Sequence, residues 1–167
     1  HGNSRSPAAT IEMVGALGQR GFGFQGDLQD RETPGRLIEA TLAHFGRLDI
    51  LINNAGTIRR APAADHALED WDAVIEINLS SAFRLSQLAG RHMLERGSGK
   101  IVNIASLLSF QGGITVPGYA AAKGGLAQLT KALANEWASR GVNVNAIAPG
   151  YIRTDNTAAL QNNEEIG

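Results

Sequence analysis

An α/β fold with a parallel sheet is predicted by three features of this 167-residue sequence. Short apolar segments typical of buried strands alternate with longer amphipathic stretches typical of helices. Small or polar residues follow the apolar segments, as is common where parallel strands end. Neither a repeat nor a linker divides the chain. We therefore expect one domain, built on a doubly wound parallel sheet with helices on both faces.

The first four elements follow from spacing and from the residues that stop a helix or strand. Ile11, Val14 and Leu17 share a helical face before Gly18, so a helix is predicted over 7–17. Phenylalanines alternate with glycines over 22–27, which indicates a short strand ending at Asp27. A helix is predicted over 34–45, because proline favours the first turn and glycine follows the last. The apolar run 48–52 is typical of a buried parallel strand.

The last four elements repeat the alternation of helix and strand. A long helix is predicted over 68–96 and a strand over 100–105. The next helix covers 119–139, with Leu126, Leu129, Leu133 and Trp137 along its inner face. A final strand, 142–148, ends at Pro149-Gly150.

Composition and charge exclude several classes of function. The formal net charge is −1, which argues against a partner of nucleic acid or anionic membrane. No apolar run approaches the roughly 18 residues of a membrane span. The chain has no cysteine, and its four histidines are not at metal-ligand spacing, so we expect neither a disulfide nor a metal site. We expect a cytoplasmic protein.

Candidate site residues lie where the predicted strands end. Asn53-Asn54-Ala55-Gly56 follows one strand, Ser106 follows the next, and Pro149-Gly150 follows the last. In an open parallel sheet, ligands bind beyond the carboxyl ends of the strands. Three such ends in register therefore predict a binding site.

Tyr119 and Lys123 form the most informative pair. Residues four apart share a helical face, so the lysine can approach the phenol. A free tyrosine titrates near pH ~10, and a nearby cation favours its phenolate. This pair is suited to proton transfer, although an isolated pair of this spacing is more often an ordinary surface pair.

Together these residues resemble the short-chain dehydrogenase/reductase family. The resemblance is carried by Asn53-Asn54-Ala55-Gly56, Asn78, Ser106, Tyr119-Ala-Ala-Ala-Lys123 and Pro149-Gly150, in that order, with 13 residues from Ser106 to Tyr119. It covers essentially the whole chain, and it implies a Rossmann-type fold and an oxidoreductase that uses NAD or NADP.

The resemblance also implies roles for these residues. Tyr119 exchanges a proton with the substrate oxygen, Lys123 lowers the pKa of the tyrosine and holds the nicotinamide ribose, and Ser106 binds the substrate oxygen. Asn78 helps to hold a water relay that reaches the lysine; a purely structural amide is the alternative. The implied cofactor-binding residues are Asp27, Leu28, Asn54, Ala55, Gly56, Tyr119, Lys123, Pro149, Gly150, Ile152 and Thr154. Asp27 could equally be a turn former.

The family's glycine-rich turn is not found here. Gly21-Phe-Gly23-Phe-Gln-Gly26 fits G-x-G-x-x-G formally, but it does not open a helix directly, since Pro34 begins the next helix eight residues later. We therefore expect a partial domain over 1–167, without the N-terminal glycine-rich βαβ unit and the C-terminal strand. On this expectation the 22–27 strand lacks its neighbours, and the isolated chain would fold poorly and bind no dinucleotide.

Local features bear on the cofactor and the substrate. Arg5 could pair with the 2′-phosphate of NADP, or belong to a frayed terminus. Segments around Asn103–Gly112, Ala134–Trp137 and Ala148–Tyr151 resemble the sugar-acid branch of the family, to which 2-deoxy-D-gluconate 3-dehydrogenases and 2-dehydro-3-deoxy-D-gluconate 5-dehydrogenases belong. Arginine is a bidentate partner for a carboxylate. The candidate substrate residues are Ser106, Arg59, Gln111 and Asn156, with Arg60 beside Arg59.

Three functions remain open at this point. The first is an NAD(P)-dependent dehydrogenase for a sugar acid such as 2-deoxy-D-gluconate. The second is a 3-oxoacyl thioester reductase with the same chemistry. The third is a non-catalytic dinucleotide sensor, which is disfavoured because Tyr119 and Lys123 are both present. The two long helices resemble those through which the family assembles, so we expect a homo-tetramer.

Overall fold

The computed structural model describes residues 6–150 and 152, and it confirms an α/β fold with a parallel sheet. The sheet contains β1 (Ile50–Asn53), β2 (Gly99–Ile104) and β3 (Val142–Ile147), in the order β1-β2-β3. Both pairings are parallel. Asn53 pairs with Asn103, so the carboxyl ends of β1 and β2 lie at the same edge of the sheet.

The described part of the chain contains six α-helices, of which α4 and α6 connect the three strands. The predicted helix over 34–45 is confirmed, with Pro34 in its first turn and Gly46 at its end. Gly46 has a φ of 75° and donates its N–H to Leu42 O at 2.8 Å, a conformation that glycine adopts without strain. The helices are α1 (Ala8–Ala16), α2 (Thr33–Phe45), α3 (Leu68–Ile75), α4 (Ser81–Arg96), α5 (Leu108–Gln111) and α6 (Pro117–Trp137).

One hydrophobic core lies between the sheet and the helices α2, α4 and α6. Burial of this apolar surface is the main term that holds the helices on the sheet. Met93 and Ile101 are fully buried at its centre. The core residues are Leu28, Ile38, Leu85, Ala89, Met93, Ile101, Leu133, Trp137, Val142 and Val144.

On the opposite face of the sheet, apolar side chains of the strands are exposed in the part of the chain that the structure describes. Ile50, Ile52 and Ile147 on that face are 58, 61 and 56% exposed. The strand order advances in one direction from β1 to β3. Two right-handed crossovers in the same direction place their helices on the same side of the sheet.

The strand predicted over 22–27 does not form as a strand. Gln25 alone is bridged, and the residues around it have no regular secondary structure. Local alternation of apolar residues cannot form a strand by itself, because the backbone needs a neighbouring strand to pair with.

The helix predicted over 68–96 contains a change in helical geometry. α3 and α4 are joined by a π-helical turn at Glu76–Ser80, so the chain stays helical but is wider there. Single π turns of this kind occur frequently at functional sites. Asn78 lies in the middle of this turn.

None of the helices in the described part of the chain is long and apolar enough to cross a membrane. Residues 6–150 and 152 also contain no group of three or more His, Asp or Glu side chains placed to hold a metal ion.

Candidate active site

Tyr119 and Lys123 lie one turn apart on α6, as their spacing predicts. The Lys123 Nζ atom is 5.7 Å from the centroid of the Tyr119 ring. It also donates a hydrogen bond to the backbone oxygen of Ile104, the last residue of β2, at 2.5 Å. The ammonium group is therefore held between the tyrosine and the carboxyl end of the central strand.

Burial changes the acidity of Lys123. The residue is 3% exposed, and this desolvation lowers the pKa of the ammonium group from 10.5 to about 8. Burial disfavours the charged form of a lysine because the surrounding protein solvates it less well than water. The pKa of Lys123 thus lies about one unit above neutral pH. Lysines with a pKa lowered in this way are typical of functional sites.

Tyr119 is half-buried, and its hydroxyl has no hydrogen-bond partner among the described residues. Gly118, immediately before it, lies against the Trp71 ring: a Cβ built on Gly118 would be 3.4 Å from Trp71 Cε3. The start of α6 is therefore packed on α3, which fixes the position of the tyrosine while leaving its hydroxyl available.

Ser106 lies two residues after β2, and its hydroxyl is engaged locally. Leu108 donates its backbone N–H to Ser106 Oγ at 3.2 Å, which orients the side chain. Ala105 N–H bonds to Ile147 O and Leu107 N–H bonds to Pro149 O, at 2.8 and 3.3 Å. The loop that follows β3 is thereby joined to the loop that carries Ser106.

Asn78 is 1% exposed, and both its amide oxygen and its amide nitrogen are hydrogen-bonded. It accepts the N–H of Thr57 at 2.8 Å and donates to the backbone oxygen of Thr57 at 2.7 Å. This reciprocal pair attaches the loop after β1 to the π turn. These bonds, within the described residues, are those expected of a purely structural amide. The role of Asn78 in a water relay, which the family resemblance implies, stays a prediction.

Gly56 brings this loop close to Lys123. A Cβ at this position would lie 3.0 Å from Asn78 Oδ1 and 3.8 Å from Lys123 Nζ. Only a residue without a side chain leaves this space open beside the buried cation.

A buried polar network beneath the site was not predicted from the sequence. Asn53 donates to Asn103 Oδ1 at 2.8 Å and to Ser86 Oγ at 3.0 Å, and Asn103 donates to Thr130 Oγ1 at 2.9 Å. These residues join β1, β2, α4 and α6 just below the carboxyl edge. In the sequence, the only sign of this network is a polar residue at a strand position that faces the core. Such a residue looks the same as one that simply ends a strand.

The residues predicted to bind the cofactor are only partly brought together. Asn54, Ala55 and Gly56 are exposed at the end of β1, and Pro149 and Gly150 follow β3 at the same edge. Ile152 is 60% exposed. Thr154 and the substrate candidate Asn156 lie outside the described residues, as does Arg5.

Asp27 and Leu28 have other roles in the described part of the chain. Asp27 Oδ1 accepts the N–H of Gln29 at 2.9 Å, which is the turn-forming alternative raised by the sequence. Leu28 is 4% exposed and belongs to the hydrophobic core. Because that side chain is buried, only the backbone of Leu28 can face a nucleotide.

The two arginines after β1 differ in their surroundings. Arg59 Nε lies 3.2 Å from Asp70 Oδ1, and Arg59 Nη1 donates to Thr57 Oγ1 at 3.1 Å. Arg60 is exposed and has no ion pair among the described residues, while its neighbour Ala61 donates its N–H to Thr115 O at 3.0 Å. Gln111 is exposed at the end of α5. Of the two cations, Arg59 is thus ion-paired with a carboxylate, and Arg60 is not ion-paired within the described residues.

A parallel α/β sheet with a serine, a tyrosine and a buried lysine at its carboxyl edge defines a class of nicotinamide-dependent oxidoreductases. Residues 2–165 match the family model described as short chain dehydrogenase, and the chain belongs to this family. The predicted Rossmann-type fold class and family are therefore confirmed.

The chain is similar to curated relatives with two different named activities. The chain is 59% identical over 152 residues to a 2-dehydro-3-deoxy-D-gluconate 5-dehydrogenase of Pseudoalteromonas atlantica, a match that covers 91% of this chain and 60% of the relative. It is 39% identical over 158 residues to a 3-oxoacyl-[acyl-carrier-protein] reductase of Synechocystis, which covers 95% of this chain and 64% of that protein. The chain thus spans less than two thirds of the length of these relatives.

A solved structure agrees with the fold. The gluconate 5-dehydrogenase from Burkholderia cenocepacia, in complex with NADP and tartrate, superposes with a TM-score of 0.90 and 35% identity. The match covers 98% of this chain and 66% of that structure.

Proposed function

We propose that the protein is an NAD(P)-dependent oxidoreductase that interconverts a secondary alcohol and a ketone on a sugar acid. The observation that carries this proposal is the placement of Lys123 Nζ, 3% exposed as a residue and 5.7 Å from the Tyr119 ring, at the edge where Ser106 follows β2. A buried cation beside a phenol is the arrangement that proton transfer near neutral pH requires.

The residues at this edge fit a nicotinamide cofactor. Gly56 leaves a space beside Lys123 that a Cβ would fill, and small exposed residues follow β1 and β3. Asn54, Ala55 and Gly56 would hold the nucleotide on one side, Pro149 and Gly150 on the other, and Lys123 the ribose hydroxyls. When bound, the cofactor supplies the hydride acceptor or donor.

The chain's own residues then manage the proton and the substrate oxygen. Tyr119 gives a proton to the ketone oxygen, or takes one from the alcohol, through its unpartnered hydroxyl. Lys123 Nζ, 5.7 Å from the centroid of the Tyr119 ring, places a positive charge beside the phenol that transfers the proton. Ser106 donates a hydrogen bond to the same substrate oxygen and orients it.

We assign recognition of the substrate carboxylate to Arg60. Arg59 is held by Asp70, whereas Arg60 is exposed beside a loop that is hydrogen-bonded through Ala61 to Thr115, four residues before Tyr119. Guanidinium groups bind carboxylates through two parallel hydrogen bonds. The sugar-acid name of the Pseudoalteromonas relative supports the same substrate class.

The first experiment follows the absorbance of the reduced cofactor in full-length protein with NAD or NADP and a panel of sugar acids, secondary alcohols and 3-oxoacyl thioesters. We expect turnover of a 2-deoxy- or 3-deoxy-gluconate type substrate. Tyr119→Phe should lower kcat by about 10²–10⁴-fold with cofactor binding retained. Tyr119→Phe with wild-type turnover would refute the proton-transfer role.

Matched arginine variants test the carboxylate assignment. Arg60→Gln should raise KM for a sugar acid by roughly tenfold or more and leave KM for a neutral polyol unchanged. Arg59→Gln serves as the control, because its cation is already paired with Asp70. Equal effects of both substitutions on the acid would contradict the assignment to Arg60.

A 3-oxoacyl thioester reductase is the second candidate. Phe110 and Ile114, between Ser106 and Tyr119 in the chain, are 70 and 88% exposed and could contact an acyl chain. The Synechocystis relative also has this activity in its name. Preference for acyl thioesters over sugar acids in the same panel would favour it. A non-catalytic sensor would bind dinucleotide and turn over none of these substrates.

The proposal includes a homo-tetramer in the cytoplasm. α4 and α6 carry an open groove of about 610 Å³ in which Phe83, 41% exposed, lies beside Leu129, and a second copy of the same helices would cover it. Light scattering on the full-length protein tests this assembly, and a monomeric mass would contradict it. Cell fractionation tests the location.

A further inference from the structure

Ser109 joins the two halves of the candidate site through a single hydroxyl group. Its Oγ accepts the backbone N–H of Ser106 at 3.2 Å and donates to the backbone oxygen of Lys123 at 2.8 Å. Ser109 lies in the short helix α5, while Lys123 is 14 residues further along the chain in α6. The hydroxyl therefore bridges the loop after β2 and the helix that carries the tyrosine and lysine.

The two sides of this bridge lie in different kinds of structure. The backbone of Lys123 belongs to a 21-residue helix that packs on the core, whereas Ser106 lies in a loop between β2 and α5. A helical carbonyl oxygen has a second lone pair after its helical bond, and the Ser109 hydroxyl uses it. The helix thus serves as a fixed reference, and the serine loop is the part that is positioned.

A second hydrogen bond strengthens the attachment. The backbone N–H of Ser109 donates to Ser106 O at 3.0 Å, so both the N–H and the carbonyl of Ser106 are bonded to Ser109. The backbone of Ser109 also lies close to α6, because a Cβ on Gly124 would be 3.7 Å from Ser109 O. The Ser109 hydroxyl is therefore the side-chain group that links the Ser106 backbone directly to α6.

We propose that Ser109 is a positioning residue, which holds the catalytic Ser106 at the correct distance from Tyr119 by anchoring its backbone to α6. This inference depends on the proposed function, because it assigns Ser109 an effect on turnover through Ser106. Displacements of about 1 Å in an active site can lower rates by about 10²-fold, so the loss of one anchor is measurable in kcat.

Ser109→Ala in the full-length protein removes both bonds of the hydroxyl and keeps the volume nearly unchanged. We expect kcat to fall about tenfold, with the Kd for NADP within twofold of wild type, because the Ser109 hydroxyl makes no hydrogen bond to the described parts of the loops that follow β1 and β3. Ser139→Ala is the matched control, since Ser139 is exposed and distant in the chain from the site. It should leave both constants unchanged.

The same substitution in a Ser106→Ala background separates positioning from general damage. If Ser109 acts through the Ser106 hydroxyl, Ser109→Ala should lower kcat by less than twofold once that hydroxyl is gone. An equal tenfold loss in both backgrounds would overturn the proposal, as would a wild-type kcat for Ser109→Ala alone.

Hydrogen exchange supplies a readout that needs no substrate. The Ser106 amide should exchange about tenfold or more faster in Ser109→Ala than in wild type, while amides in the middle of α6 keep their rates. Unchanged exchange at Ser106 would refute the anchor. A wild-type protein without turnover on the whole substrate panel refutes the proposed function instead, and with it the catalytic part of this inference.

Discussion

Replacing Lys123 with methionine should stabilise the protein while it removes activity. Lys123 is 3% exposed as a residue and desolvation lowers the pKa of its ammonium group to about 8, so at pH 7 the folded state carries a charge in an unfavourable environment. Methionine has a similar length and no charge, and it fills the same buried space.

The magnitude follows from the two pKa values. The difference between 10.5 and about 8, at about 1.4 kcal/mol per pH unit, corresponds to about 3 kcal/mol of lost stability at pH 7. Methionine also loses the hydrogen bond to Ile104 O, which costs about 1 kcal/mol. We therefore expect Lys123→Met to raise the free energy of unfolding by about 2 kcal/mol at this pH.

The pH dependence gives the stronger test. The pKa of Lys123 is lower in the folded protein than in the unfolded chain, so the unfolded chain binds more protons between pH 8 and 10.5. The contribution of Lys123 to the free energy of unfolding therefore rises with pH across that window. Below pH 8 the penalty is fully present. Between pH 7 and 9.5 the wild type should therefore gain about 2 kcal/mol relative to Lys123→Met.

The assay is urea unfolding of the full-length protein without nucleotide, at a series of pH values. Lys131→Met, which removes an exposed charge from the same helix, is the control and should keep the wild-type pH dependence. A difference between wild type and Lys123→Met that stays constant with pH would refute the reasoning, because it would show that the buried charge carries no desolvation cost.

Two further predictions concern the core. Gly90→Ala should lower the free energy of unfolding by about 1–3 kcal/mol, because the new Cβ would lie 2.7 Å from Trp137 Cη2. The control is Gly35→Ala, whose new Cβ meets no atom within 4 Å and should not destabilise the protein. Thermal unfolding compares the two variants. Asn103→Ala should cost about 1–3 kcal/mol in urea unfolding, since the Asn53 amide loses a buried acceptor. Stability equal to wild type in either case would contradict the packing described here.

Much of the fold could be predicted because its signals are local. The spacing of apolar residues marks α2 and α6, and Gly46 and Gly97 end their helices with φ values of 75° and 67°. Helical periodicity also placed Tyr119 beside Lys123. These features depend on residues a few positions apart, which the sequence displays directly.

The elements that could not be predicted depend on distant partners. The strand expected over 22–27 is reduced to one bridged residue, since local alternation does not provide a neighbouring strand. The π turn around Asn78 interrupts the predicted helix, and its amide pairs with Thr57, 21 residues away in the chain. Periodicity carries no information about such a pair.

The sequence by itself therefore determined the α/β class and the family, and it supplied the residues that we propose carry the chemistry. Only the tertiary structure decided which of the two arginines is ion-paired. Arg59 pairs with Asp70, which lies 11 residues later in the first turn of α3. The tertiary structure likewise decided that Ser109 joins Ser106 to Lys123. Such hydrogen bonds and ion pairs form only where folding brings distant segments of the backbone to the right distance and angle. No local sequence pattern specifies that placement.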